Sequence, residues 1–194
     1  MLCHMFATIG DSDDTALAFF ESPPEGLELR DYYIRQGKRL GKHYPADARI
    51  KMDHRSKGNK LASMLGNTMS FLIVHTDVKK LIETNNLNAE IEYLPVNIYN
   101  HKGRLQSSDY WIINVIGTLD CVDKEKSDID YEDETRQEVI GVGTIVLDGK
   151  KLRGAPDLFR VPEQAEDIIA SDRLYRILVA GKFSNLAFSP IEVA

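Results

Sequence analysis

Two stretches of the chain share one order of apolar and polar positions. Residues 73–98 read IVHTDVKKLIETNNLNAEIEYLPVNI, and residues 168–193 read IIASDRLYRILVAGKFSNLAFSPIEV. Each has a β-branched pair, then Thr-Asp or Ser-Asp, then apolar positions of helical period, then alternating positions interrupted by a proline. This order predicts a strand–helix–strand unit that is built twice, although four identities in 26 gapless positions leave chance similarity open.

The ends of the first unit allow more detailed predictions. Thr76 is the predicted N-cap of the helix, because its hydroxyl can accept a hydrogen bond from the first turn. In the strand that follows, apolar residues occupy positions 91 and 93 before Pro95 but positions 96 and 98 after it. The second copy changes parity in the same way at Pro190. Because proline cannot donate to a strand ladder, we expect a β-bulge or an edge kink at both prolines.

Further strands are predicted between the two copies. Residues 109–120, DYWIINVIGTLD, are apolar on nearly both faces and predict a central strand. Residues 140–147 end in Asp148-Gly149, a favoured two-residue turn, so the next segment is expected to return antiparallel. Residues 158–161, LFRV, predict a short strand that Pro162 ends. The predicted fold is α+β, with a mixed, mainly antiparallel sheet, a few helices and two copies of a strand–helix–bulged-strand unit.

The composition changes this picture by excluding some partners. The chain has 194 residues, 43% hydrophobic and 28% charged, as ordinary soluble globular proteins do. It has no run of ~18 apolar residues, so we expect no membrane partner. The N-terminus has no basic segment of a secretory signal, and two distant cysteines fit a reducing cytoplasm, so a cytoplasmic location is expected. A formal charge of −6 argues against nucleic acid as a direct partner.

The negative charge is concentrated in residues 120–138, DCVDKEKSDIDYEDETRQE. This segment holds nine acids and three bases, a balance of −6 that equals the net charge of the whole chain. One interpretation is a solvated loop, and the other is a surface that attracts a basic partner. For the second interpretation the candidate contact residues are Asp128, Asp130, Tyr131, Glu132, Asp133 and Glu134.

No catalytic or metal-binding pattern stands out. The five histidines are scattered without helical or zinc-ligand spacing, and glycine-rich nucleotide and nucleophile motifs are absent. Carboxylates at Asp120 and Asp123 flank Cys121, but nearby acids raise a thiol pKa and make it less reactive. The acids at 128, 130 and 133 lack the glycine and terminal glutamate of a calcium loop. We therefore expect a binding protein and not an enzyme, with no catalytic residue, metal or cofactor.

The C-terminal two thirds of the chain resembles a known family. The similarity is to the bacterial immunity proteins of polymorphic toxin systems, in the group related to a myxobacterial swarming-inhibitor immunity protein. It covers residues 60–194 well, so we expect one domain, 1–194, with a variable part at 1–55 and a core at 56–194. The residues that carry the resemblance are Asn114, Asp120, Cys121, Asp123, Asp148, Leu152, Gly154, Phe159, Arg160, Ser171, Asp172, Arg173, Phe188, Pro190 and Ile191.

The resemblance implies a cytoplasmic antitoxin that binds a cognate effector toxin and neutralises it by stoichiometric occlusion. A nuclease is the expected target by analogy, and the motif residues are expected to form framework and not a site. A non-catalytic adaptor or oligomerising module without a toxin partner remains the alternative, and a homodimer stays open.

Overall fold

The structure is a computed structural model that describes residues 2–11, 13–86, 88–132, 135 and 138–194. Its strands are β1 (Cys3–Phe6), β2 (Phe19–Phe20), β3 (Arg49–Lys51), β4 (Gly66–Asn67), β5 (Ile73–His75), β6 (Ile91–Tyr99), β7 (Leu105–Val115), β8 (Ile129–Tyr131), β9 (Val139–Val142), β10 (Val146–Leu147), β11 (Leu158–Val161), β12 (Gln164–Ser171) and β13 (Phe188–Val193). Its α-helices are α1 (Asp31–Arg35), α2 (Thr76–Asn85) and α3 (Asp172–Ala180), and 3₁₀ turns lie at Glu28–Arg30 and Gly41–His43.

Two sheets form most of the framework. One has four strands in the order β3-β6-β7-β5, and the other has five in the order β10-β13-β1-β12-β11. Two-stranded sheets are formed by β2 with β4 and by β8 with β9. Antiparallel pairs predominate, and the parallel ones are β2/β4, β3/β6 and β10/β13. The prediction of an α+β fold with mainly antiparallel sheet and a few helices is confirmed.

The predicted strand–helix–strand order occurs twice. In the first unit α2 connects β5 to β6, and both strands are antiparallel to β7, which lies between them. In the second unit α3 connects β12 to β13, and both flank β1 in the same way. Each unit is thus completed by an inserted strand that the sequence repeat does not contain.

The two helices share one apolar cluster. Val78 and Ile82 of α2 are fully buried together with Leu174 and Leu178 of α3. A spacing of four residues places the two side chains on one face of each helix. Burial of each such side chain stabilises the fold by about 1.5–3 kcal/mol. The cluster also contains residues of both sheets, so it holds the two units together.

The prediction of a bulge or kink at the two prolines is wrong. The β6/β7 ladder runs unbroken through Pro95, and its register shifts only after Val96. The β13/β1 ladder is regular through Pro190. Among the described residues, neither proline has a ladder partner on the other side of its strand, because β3 joins β6 only at residue 97 and β10 joins β13 only at residue 192. A missing N–H is tolerated at such an open edge.

In β6 the apolar positions change from odd to even numbers at Pro95, which suggested a bulge, but this change has another cause. Ile91 and Tyr93 of β6 pack against the cluster that contains α2 and α3. Leu94, Val96 and Ile98 point to the opposite face of the strand and enter a second cluster. The strand therefore keeps its regular pairing through Pro95 and has apolar contacts on both faces at different points along its length.

The hairpin predicted at Asp148-Gly149 is also wrong. Its preceding strand β10 pairs in parallel with β13, and residues 149–154 form turns instead of a returning strand. A carboxylate oxygen of Asp148 accepts from the amide of Lys150 at 2.8 Å, and its carbonyl accepts from Leu152 at 3.2 Å. An aspartate that caps its own turn in this way competes with the hairpin geometry.

The first 50 residues pack into the framework. Phe20, Leu27, Ile34 and Ile50 are buried in one cluster with residues of β6 and β7. The chain start supplies β1, the inserted strand of the second unit. No helix in the described part of the chain has both the length and the apolar content needed to cross a membrane.

Candidate partner-binding surface

Residues 128–132 of the acidic segment form one arm of a β-ribbon, and residues 138–144 form the other arm. Within it β8 and β9 pair antiparallel, with Asp130 opposite Gly141. The pairing begins before β8, because the amide of Asp128 donates to the carbonyl of Thr144 at 2.8 Å and its carbonyl accepts from Gly143 at 2.8 Å. The interpretation of residues 120–138 as a solvated loop is therefore wrong for residues 128–131, whose backbones are hydrogen-bonded to residues 139–144.

Three carboxylates lie in a row on this ribbon. Asp128, Asp130 and Glu132 are exposed, whereas Ile129 and Tyr131 between them are half-buried. Side chains alternate between the two faces of a strand, so the three acids share one face at a spacing of about 7 Å. Ile129 packs on the other face against a core cluster. We call the row of Asp128, Asp130 and Glu132 the acidic face.

Glycines on the opposite strand lie under the carboxylates. A methyl group at Gly143 would stand 2.2 Å from an oxygen of Asp128, and one at Gly141 would stand 3.2 Å from an oxygen of Asp130. Since glycine has no side chain, neither Gly141 in β9 nor Gly143 just after it can cover or neutralise the acids.

The neighbouring lysines neutralise other acids. Lys124 pairs with Glu163 at 3.1 Å, Lys126 with Asp123 at 3.4 Å, and Lys151 with Asp120 at 3.2 Å; these lysines are thus held away from the row. Among the described residues, the acidic face has no ion pair within 4.0 Å. Its negative charge therefore stays available to a partner.

An apolar side chain accompanies the acids. Ile140 is 67% exposed, and it opposes no residue of β8 because Asp130 pairs with Gly141 while Tyr131 pairs with Val139. A bulge of this kind turns the extra side chain away from the regular pattern. Sequence analysis missed Ile140, whose signal was an apolar residue beside two glycines in a charged segment.

The structure thus locates four of the six predicted contact residues, Asp128, Asp130, Tyr131 and Glu132, on one ribbon. Asp133 and Glu134 lie outside the described residues. Tyr131 is half-buried, and its hydroxyl is enclosed and not offered to solvent.

Two adjoining pockets form a second group of polar residues, which sequence analysis missed. They have volumes of 630 and 450 Å³ and share Glu21 and Asp53. The smaller pocket brings His54 and His101 beside these acids, and the four residues come from three separate segments of the sequence.

The polar groups of the smaller pocket are engaged in local contacts. Arg55 forms ion pairs with Glu21 and Asp53, and a ring nitrogen of His101 lies 3.0 Å from the carbonyl of Gly58. The His54 side chain is 90% exposed, as a surface histidine is. His54 Nδ1 lies 3.4 Å from Asp53 Oδ1, but Asp53 also pairs with Arg55, so the charged residues of this pocket are paired with each other.

Comparison with known proteins identifies the family. A family model described as an immunity protein family (Imm11) matches residues 13–193. The chain belongs to the Imm11 immunity protein family. The match spans the acidic ribbon and both strand–helix–strand units, and the resemblance proposed from the sequence is confirmed. A search of curated proteins finds no match to this chain.

Motif residues of this Imm11 protein connect its elements. The side-chain amide of Asn114 in β7 donates to the carbonyl of Lys38 and to a carboxylate oxygen of Glu92, each at 3.0 Å. Glu92 also accepts from the amides of Leu40 and Gly41, at 3.0 and 2.8 Å. Asn114 and Glu92 therefore fix the N-terminal segment to the four-stranded sheet.

The start of α3 is another junction. Ser171 caps the helix by accepting from the amide of Leu174 at 3.2 Å, and its hydroxyl donates to Asp157. Arg173 donates to Asp157 and to the carbonyl of Asn85 at the end of α2. This network joins the second unit to the first, so Ser171 and Arg173 belong to the framework.

The cysteine motif of the Imm11 protein is buried. Burial raises the pKa of Cys121 to about 12 and that of Cys3 to about 11, so both thiols stay protonated near neutral pH. Both are free thiols inside a core cluster. Among the described residues, no group of three or more His, Cys, Asp or Glu side chains has the arrangement of a metal site.

Proposed function

We propose that this Imm11 protein neutralises a cognate effector toxin by binding it stoichiometrically and occluding its working surface. The observation that carries this proposal is the acidic face, three exposed carboxylates in a row without an ion pair among the described residues. Family membership supports a toxin as the partner.

Electrostatics favours a basic partner for this surface. A row of like charges on a low-dielectric surface attracts an oppositely charged partner and accelerates association, in a way that salt weakens. We propose a nuclease as the toxin, because an enzyme that grips phosphates needs a basic groove. The acidic face would then occupy the groove in place of the nucleic acid, and the antitoxin itself would contact neither nucleic acid nor membrane.

Neutralisation without catalysis is the second part of the proposal. Protonated, buried thiols are poor nucleophiles. In the smaller of the two pockets, the acids Glu21 and Asp53 form ion pairs with Arg55. Free cysteines also support action in a reducing cytoplasm. These features fit an inhibitor that acts by binding to the toxin and covering its working surface.

Co-expression with the product of the adjacent upstream gene tests the proposal. Cell survival is scored first, and the two proteins are then co-purified and weighed by native mass spectrometry. Rescue together with a one-to-one complex is the expected result. Rescue at substoichiometric amounts without a complex would instead reveal an enzyme that reverses the toxin's damage. Self-association in the absence of any toxic neighbour would identify the adaptor or oligomerising module, and would overturn the antitoxin.

A further inference from the structure

The ribbon that carries the acidic face has an open edge. Among the described residues, β9 pairs with β8 alone, so its other side has no ladder partner. The amide of Gly143 donates inward to Asp128. Successive amides of a strand face opposite sides, so the N–H of Val142 points outward. The edge of β9 thus presents unpaired backbone groups.

Pro190 explains why the five-stranded sheet does not cover this edge. The ladder between β10 and β13 includes Val146 opposite Glu192, and the amide of Ala194 donates to Leu147. The backbone N–H groups of even-numbered residues in β13 therefore point toward β10. Continued pairing toward β9 would use residue 190 next, and proline has no N–H to donate. The ribbon leaves the sheet at this point.

We propose that the toxin adds an extended basic segment as a third strand along the β9 edge, residues 139–142. This inference rests on the proposed function, because it names the binding mode of the same surface. Strand addition obtains affinity from main-chain hydrogen bonds and specificity from side chains that alternate in position. The docked segment satisfies the outward groups of β9, and Ile140 supplies an apolar contact at the same edge.

The two glycines explain why the segment is basic. Strands lie about 4.8 Å apart, so a third strand stands about 10 Å from β8. Gly141 and Gly143 lie between them on the acidic face and have no side chain to obstruct the path. A lysine or arginine on the added strand can therefore extend across β9 to Asp128 or Asp130. Charge complementarity thus selects a cationic strand over a neutral one.

Hydrogen exchange of the one-to-one complex with the toxic upstream gene product tests this inference. The amide of Val142 is expected to exchange at least tenfold more slowly in the complex than in the free protein. The amides of Glu132 and Gly143 bond within the ribbon in both states and serve as internal references. Equal exchange at residues 139–142 in free and bound protein, with the complex intact, overturns strand addition and leaves the antitoxin function standing.

A pair of variants at one position provides the second measurement. Val142→Pro removes the outward N–H, whereas Val142→Thr keeps it and a similar side-chain volume. We expect the dissociation constant to rise at least tenfold for the proline variant and less than twofold for the threonine variant. Protection of Gly143 shows whether the ribbon is intact in the proline variant. Equal affinity of an intact proline variant would overturn the inference, and failure of the wild-type protein to bind any toxin would instead overturn the proposed function.

Discussion

Arg160 is the largest fully buried side chain, and it has no carboxylate hydrogen-bond partner among the described residues. Its guanidinium donates to the carbonyls of Val115 at 3.0 Å, Ile34 at 3.1 Å and Glu166 at 3.0 Å. Burial lowers its pKa to about 10, which still leaves it charged near neutral pH. Carbonyl oxygens from α1, β7 and β12 therefore replace the hydration of the cation, and Arg160 fastens these elements together.

Replacement of Arg160 by lysine is expected to destabilise the fold strongly. Lysine has three donors on one atom and cannot reach carbonyls on opposite sides at once, so several acceptors lose their partner. Each buried unsatisfied group costs about 1–3 kcal/mol, which predicts a total loss of about 3–5 kcal/mol. Urea unfolding measures the loss, and Arg153→Lys on the surface serves as the control, with a change within about 0.5 kcal/mol. A loss below about 1 kcal/mol would show that the carbonyl contacts of Arg160 are dispensable.

Cys121 predicts how stability changes with pH. Its pKa rises from 9.0 to about 12 on folding because burial disfavours the thiolate. The raised pKa means that the contribution of the protonated thiol is complete below pH 9 and is lost as the pH rises toward 12. The free energy of unfolding is therefore expected to fall more steeply between pH 9 and 11 in the wild type than in Cys121→Ala. If the free energy of unfolding had the same pH dependence in both proteins, the raised pKa of Cys121 would be contradicted.

The first residues of α2 and α3 show how a single side chain sets the start of a helix. The sequence alignment pairs Thr76 with Ser171, but the observed N-caps are His75 and Ser171, so the helices are offset by one residue relative to the repeat. Thr76 is the first residue of α2, and its hydroxyl donates to the carbonyl of Asp109 and accepts from the indole N–H of Trp111. A tertiary partner has thus replaced the local capping bond that the sequence predicts.

Loss of the α3 cap is expected to affect more than the helix. Ser171→Ala removes the hydrogen bond to Leu174 and leaves Asp157 with one donor fewer. The expected cost is about 1–2 kcal/mol of unfolding free energy, as for other N-caps. Chemical denaturation of Ser171→Ala beside Ser108→Ala, an exposed serine, measures it. Equal stability of both variants would show that the cap is not needed.

Most elements of the chain could be predicted where local pattern and tertiary packing agree. The strand predicted at residues 109–120 is observed as β7 at Leu105–Val115, and the strand predicted at residues 158–161 matches β11. Pro95 and Asp148 misled the prediction, because burial on both faces of β6 imitates a bulge and because Asp148 caps its own turn. The inserted strand β1 carries no local signal of its partners, which lie more than 160 residues away in the sequence.

At the scale of the whole molecule, the sequence located the acidic ribbon but not its geometry. Counting charge singled out residues 120–138, since nine acids and three bases lie there. The charge count could not show that Lys124 and Lys126 form ion pairs with acids outside the acidic face, because ion pairing depends on the fold. Likewise the pocket with His54 and His101 combines residues from three distant segments. We propose that residues 1–194 form one domain, since N-terminal side chains fill the core of the four-stranded sheet.

The same pocket allows a test of neutralisation without catalysis. His54→Ala, His101→Ala and Glu21→Gln together remove both histidines and one of the acids of this pocket. If the protein acts by occupancy, the triple variant is expected to bind and neutralise the toxin within about twofold of wild type, because the acidic face is intact. Titration of a fixed amount of toxin with each antitoxin measures the ratio at which toxin activity is abolished. A loss of protection with unchanged binding would reveal catalysis in this pocket.

Charge reversal of the acidic face tests the surface that carries the proposed function. Asp128→Lys, Asp130→Lys and Glu132→Lys together are expected to lower the association rate with the toxin by about tenfold or more, and to flatten its dependence on salt. The matched control reverses three exposed acids elsewhere, Asp13, Asp109 and Glu192, and changes the net charge equally. Stopped-flow association at several salt concentrations separates the two variants, because only a local field depends on where the charges lie. Equal slowing in both would mean that net charge steers the encounter and that the row on the ribbon is not the contact surface.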